Sequence, residues 1–144
     1  ELVVMPPEAI AAEQVFKVMW IADEARLDAF LARDGAERCR PATAETVRSH
    51  REVFEFVPRG VNKATGTAAL ARELGIPASR IASFGDAAND VPLFDWTGFS
   101  VAMPHAPADV RARATTTAPA GCAESAFARG VDMLLASSFL GSAQ

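Results

Sequence analysis

Cysteine is scarce in this sequence: Cys39 and Cys122 are the only two. They stand far apart and outside any Cys-x-x-Cys or Cys/His metal spacing, which predicts two reduced thiols in a cytoplasmic protein and not a disulfide. Basic blocks are missing as well. Lys and Arg total 14 against 18 Asp and Glu, for a formal net charge of -4 and a pI near 5.2. The cations are scattered with no aromatic ladder between them, so no nucleic-acid partner is expected. No apolar run approaches the roughly 20 residues that a bilayer-spanning helix needs, and no charged-then-apolar leader opens the chain. Neither a membrane partner nor secretion is therefore expected. Internal repeats and low-complexity segments are absent. So is any Asp-x-Asp motif, from end to end.

What is present is compatible with a packed α/β protein. The chain has 144 residues, half of them hydrophobic, enough for one domain or one domain plus part of another. Its first residue is Glu, which suggests a start inside a longer protein or after processing. The run from Val15 to Ile21 is β-branched and aromatic, of strand length. Asp23 can cap a helix carrying Ala25, Leu27, Phe30 and Leu31 at helical spacing, with Gly35 as its stop. A polar region with Pro41 follows, then Glu52 to Val57, which alternates as a half-buried strand does. Pro58-Arg59-Gly60 reads as a hinge, dividing residues 1–57 from residues 58–144.

Beyond the hinge the rhythm changes. Asn62 can cap a helix running through Leu70 and Leu74 to Gly75. Arg80 to Phe84 is a short buried-type strand, and a helix is expected from Asn89 to Trp96. Phe99 to Met103 is the next strand, Ala108 to Ala114 a helix, and Thr115 to Thr117 an extended segment. Cys122 to Ala136 is an amphipathic helix, and the tail from Ser137 is expected to fray. Strands alternating with helices in this way predict a parallel sheet with flanking helices. Trp20 and Trp96 lie on apolar faces and are expected in the core, while His50 reads as a solvated strand residue.

Ligands of open parallel sheets bind beyond the carboxyl ends of the strands, and Gly85-Asp86 falls there. Gly85 permits close approach, and Asp86 offers a hard oxygen suited to Mg²⁺. Asp90 lies one helical turn on and can face the same site, holding the ion's water or a nearby ammonium. Asn89 adds an amide for a phosphate oxygen or a carboxylate. These residues alone would equally suit a helix cap. Lys63 alters the balance, because a cation at a helix start opposes the helix dipole and requires an anionic partner. A phosphate or a carboxylate cluster would supply one.

Gly60-Val61-Asn62-Lys63, Leu74-Gly75-Ile76-Pro77, Phe84-Gly85-Asp86-Ala87-Ala88-Asn89-Asp90 and Val101-Ala102-Met103, in that order, resemble the haloacid dehalogenase superfamily. More narrowly they are similar to the Cof-type sugar phosphatases, which carry an α/β cap inserted into the core. The similarity runs from about residue 15 to residue 135. It implies a Rossmann-like core, incomplete here, in residues 58–144, and the later part of the cap in residues 1–57. It further implies Mg²⁺ and hydrolysis of small phosphorylated metabolites such as sugar phosphates through an aspartyl-phosphate. In that scheme Lys63 steadies the nucleophile and the phosphoryl group. Asp86 is the direct metal ligand, Asp90 serves the ion's water and the lysine, and Asn89 helps hold the site together.

Two features depart from the pattern. The family's nucleophile lies in an Asp-x-Asp near its N-terminus, and its phosphate-gripping Ser/Thr motif precedes the cap; neither segment is found in these residues. The chain alone is therefore expected to be inactive, and to aggregate or to join a complementing chain or the missing N-terminal half of the same protein. Met103-Pro104-His105-Ala106 stands where relatives usually show Met-Gly-Asn-Ala. Pro104 stiffens this loop, and His105 reads as a surface loop residue in preference to a phosphate contact. Arg48 and Arg51 are the available cap cations, more in keeping with solvated charge than with substrate recognition. The alternatives are a phosphomutase on the same fold and a non-catalytic domain that binds phosphate or a partner.

Overall fold

The chain divides into two units, Glu1–Gly60 and Val61–Gln144, in a computed structural model that describes residues 6–10 and 15–142. The first unit contains helix α1 (Pro7–Ile10), strand β1 (Val18–Ile21), helices α2 (Glu24–Leu31) and α3 (Gly35–Cys39), and strands β2 (Ala44–His50) and β3 (Val53–Pro58). Its sheet is antiparallel in the order β1-β3-β2. Asp23 caps α2 by accepting a hydrogen bond from the Arg26 N–H at 2.9 Å, which satisfies a donor the helix leaves unpaired. Trp20 of β1 sits opposite Phe54 of β3. The Phe30 ring of α2 meets Trp20 edge-on at 4.4 Å and Phe54 at 6.2 Å. These aromatic contacts and the fully buried Leu27 fasten α2 to the sheet.

Three sequence expectations change in this unit. Residues 15–17 precede the strand, which begins at Val18. Gly35 does not stop α2 but opens α3, after Asp34 turns the backbone with φ of 55°. A Cβ at Gly35 would lie 2.4 Å from the Phe30 ring, so close packing explains this glycine. Strand β2 occupies the stretch that reads as polar, because an edge strand can carry charged side chains that an alternation test passes over. Arg48 on β2 is tied to Asp28 of α2 at 2.6 Å and to the Arg51 carbonyl at 2.7 Å. It therefore has a local structural role, and His50 accepts a backbone N–H from Glu52 at 3.4 Å.

The second unit alternates helix and strand: α4 (Lys63–Leu74), β4 (Ala82–Gly85), α5 (Val91–Trp96), β5 (Phe99–Ala102), α6 (Ala108–Arg111), β6 (Thr116–Thr117) and α7 (Ala126–Ala136). Its sheet is parallel in the order β4-β5-β6. Asn62 and Thr65 cap α4 reciprocally, each side chain accepting the other's backbone N–H at 3.0 Å. Gly75 closes the helix in the left-handed conformation, the usual solution at this position. Phe94, Ala102, Ala106 and Val110 form a buried core, with Val91 and Ala114 against it. Phe84 of β4 packs on Phe127 of α7 at 4.9 Å between ring centres.

The expected helix from Asn89 divides into a 3-10 turn, Ala88–Asp90, followed by α5. Pro92 falls in the first turn of α5, where its missing N–H costs nothing. Helix α6 ends at Arg111, earlier than expected, and the helix expected from Cys122 begins with a 3-10 turn, Ala123–Ser125. The tail is more structured than the frayed end expected. A 3-10 turn covers Leu140–Ser142, and Phe139 lies 5.5 Å from the Phe99 ring; residues 143–144 lie outside the described residues.

Candidate functional site

Strands β4 and β5 end side by side, with Gly85 in register with Ala102. The Met103 N–H donates to the Gly85 carbonyl at 2.8 Å, so the loops leaving both strands start from one fixed point. Asp90 is drawn back beneath the first loop and is only 3% exposed. Its Oδ2 accepts the backbone N–H groups of Asp86 at 2.9 Å and Ala87 at 3.1 Å. Its Oδ1 accepts from Lys63 Nζ at the start of α4. Three of the roughly four lone-pair sites of a carboxylate are thereby used.

This arrangement explains Gly85. A Cβ there would stand 2.4 Å from Asp90 Cγ and 2.5 Å from its Oδ2, inside any tolerable contact. Because Asp90 is held at both oxygens, it cannot swing aside. Gly85→Ala is expected to destabilise the second unit by about 2 kcal/mol, within the range for overpacking a filled site. Denaturant unfolding checks this, and an unchanged midpoint would show that the Asp90 side chain is free to move.

Lys63 sits where the helix dipole disfavours a cation, and the Asp90 carboxylate offsets that cost. The Lys63 side chain as a whole remains half exposed, so the pair can be approached by a ligand. Asp86 is exposed at the loop tip, with Oδ2 3.1 Å from His105 Nε2. Asn89 Oδ1 is buried with no hydrogen-bond partner among the described residues, an orphan acceptor in the same loop. The structure therefore brings Lys63 to Asp90 and ties Asp90 to the backbone of Asp86. It brings His105 to Asp86, a neighbour the sequence reading of a free surface loop did not include. No local pattern could have found that contact, since it joins loops after two different strands.

Among the described residues, no group of three or more His, Cys, Asp or Glu side chains converges as a metal cage. Both cysteines are exposed free thiols. No helix among the described residues is long and apolar enough to cross a membrane.

A parallel α/β sheet with a lysine–carboxylate pair and an acidic loop at its carboxyl end defines the general class. The chain belongs to the haloacid dehalogenase-like hydrolases, whose family model matches residues 3–127. Over 82 residues it is 34% identical to a phosphoglycolate phosphatase of Methanothrix thermoacetophila, covering 57% of this chain and 36% of that protein. Over 51 residues it is 39% identical to the 5-amino-6-(5-phospho-D-ribitylamino)uracil phosphatase YitU of Bacillus subtilis, covering 35% of this chain and 19% of that one. In fold it is similar to BT1666, a phosphatase of the same superfamily from Bacteroides thetaiotaomicron. The TM-score is 0.68 at 22% identity, with 93% of this chain and 46% of that one covered. The chain thus spans less than half the length of each of these proteins.

Proposed function

We propose that this chain forms the later part of a cap and the second half of the core of a Mg²⁺-dependent phosphatase acting on small phosphorylated metabolites such as sugar phosphates. The observation that carries the reading is Asp90, which grips Lys63 with one oxygen and the Asp86 loop with the other. That one buried carboxylate couples a cation suited to a phosphoryl group to an exposed carboxylate suited to a metal ion. Phosphoryl transfer depends chiefly on such positioning and charge stabilisation. The phosphatases among the similar proteins support the same reaction class.

The donors present fit magnesium. The Asp86 carboxylate and the orphaned Asn89 amide oxygen are hard oxygens, and Mg²⁺ is commonly held by one or two carboxylates with water completing its shell. Asp86 is the direct ligand in this reading. Asp90, with most of its acceptor capacity engaged, acts from behind by fixing Lys63 and the loop. When bound, the ion supplies neutralisation of phosphoryl charge. Lys63 would orient and neutralise a phosphoryl oxygen, and Asn89 would help shape the loop. The attacking carboxylate belongs to an Asp-x-Asp segment outside these residues, so the 144 residues alone are read as inactive. No nucleic acid or membrane has a role in this reading, and the cytoplasm is the compartment that suits its substrates.

The test is phosphate release by the complete protein from a panel of phosphate monoesters, with Mg²⁺, after chelation, and after Mg²⁺ is restored. Activity should vanish on chelation and return with the ion. Hydrolysis indifferent to chelation would overturn the metal assignment. Conversion of a sugar phosphate to its isomer without free phosphate would instead identify a phosphomutase.

A further inference from the structure

Asp86 and His105 leave the sheet from neighbouring strands and meet at their tips, with Asp86 Oδ2 3.1 Å from His105 Nε2. Both side chains are more than half exposed, and an isolated pair of that kind on a protein surface contributes little. This pair differs in how its two ends are held. Asp86 is fixed through its backbone N–H on the buried Asp90 carboxylate. His105 stands on a tight turn closed by the Ala106 N–H on the Met103 carbonyl at 3.0 Å. Arg111 Nη1 donates to the carbonyls on both sides of it, Ala106 at 2.6 Å and Pro104 at 3.3 Å. Ala106 is buried at 1% exposure, and Pro104 restricts the backbone just before the histidine. The imidazole is presented by a turn whose backbone is tied down on both sides of it, so little backbone entropy remains to be lost when it holds its partner.

We propose that His105 is a positioning residue for the cation site. Its Nε2–H donates to Asp86 Oδ2 and holds the carboxylate in one orientation, leaving Oδ1 as the oxygen for the ion. The inference rests on the reading of Asp86 as metal ligand and extends it to a residue in the next loop. The chemistry is that of an outer-shell hydrogen bond on a ligating carboxylate, whose loss commonly weakens metal binding. Oδ1 has no hydrogen-bond partner among the described residues, as an oxygen reserved for a cation requires.

The test uses the complete protein and Mn²⁺, followed by its electron paramagnetic resonance signal, with Mg²⁺ as competitor. His105→Leu removes the donor. His105→Gln places an amide N–H at nearly the same reach as the imidazole Nε2. The Leu variant should bind Mn²⁺ about 10- to 100-fold more weakly, the Gln variant should recover most of that loss, and both should melt with the parent. In an Asp86→Ala background, His105→Leu should have no further effect on affinity, since the interaction it removes is already gone. Normal affinity in His105→Leu would overturn the inference, provided Asp86→Ala itself weakens binding. So would a loss that persists at full size in the Asp86→Ala background, or one that Gln fails to relieve. If Asp86→Ala leaves Mn²⁺ affinity intact, the metal-ligand reading itself fails and the role of His105 falls with it.

Discussion

Asp86→Ala in the complete protein should lower kcat/KM for phosphate release by roughly 10²- to 10³-fold, the scale seen when one preorganised stabiliser of transition-state charge is deleted. Its melting temperature should hardly move. The Asp86 side chain is 54% exposed and, among the described residues, its single partner is His105, so the change belongs with surface substitutions that shift stability within about 0.5 kcal/mol. What anchors the loop is the Asp86 backbone N–H, and alanine keeps that group. The two readouts together are demanding. A fall in stability as large as the fall in activity would mean that Asp86 organises the loop, and an unchanged rate would remove it from the site.

Asp90→Ala should damage both activity and fold. The carboxylate is 3% exposed and accepts three hydrogen bonds, from Lys63 and from the N–H groups of Asp86 and Ala87. Hydrogen bonds to a charged group contribute more than neutral ones, and donors left without a partner cost more than the bond itself was worth. A loss of about 2–4 kcal/mol is expected. Lys63 is half exposed and can rehydrate, which keeps the figure below that for a fully buried pair. Asp90→Asn separates the contributions. It keeps the shape and one carbonyl acceptor for the backbone N–H groups, so stability should partly recover while Lys63 remains without its counter-charge and activity stays low. Urea unfolding read beside phosphate release decides this. An Asn variant with full activity would show that the charge of Asp90 is dispensable.

Both predictions concern residues visible in the sequence as an acidic loop after a strand, yet their expected consequences differ. The difference is burial. Asp86 and Asp90 are the same residue type four positions apart, and helical spacing suggested that both could face one site. A 3-10 turn at Ala88–Asp90 turns the second carboxylate inward beneath the loop, while the first remains at its tip. Local pattern cannot make that distinction, since it depends on whether the space beside residue 85 is occupied.

Other elements divide along similar lines. The caps at Asp23 and Asn62 and the close of α4 at Gly75 were legible because a helix end is satisfied by residues within a few positions. Strand β2 is legible only at His50, which reads as a strand residue, since the extent of an edge strand is a property of its neighbours. Gly35 reads as a helix stop, whereas its actual constraint is the Phe30 ring, whose position is set by tertiary packing. The tail around Phe139 looked unanchored for the same reason, as its partner Phe99 stands 40 positions earlier.

By itself, the sequence determined the alternation of strands and helices beyond residue 60, the acidic loop after one strand, a lysine at a helix start that needed an anion, and a motif order that marks the family. These depend on short-range periodicity, capping chemistry and spacing, which the chain carries locally. Only the tertiary structure decided that Lys63 is answered by Asp90 across 27 positions, that Gly85 is required by the Asp90 side chain, and that His105 stands against Asp86. His105 reaches Asp86 because a parallel sheet brings the carboxyl ends of neighbouring strands together, Lys63 reaches Asp90 once α4 has packed beside α5, and the Asp90 side chain meets Gly85 because the turn after β4 folds it back.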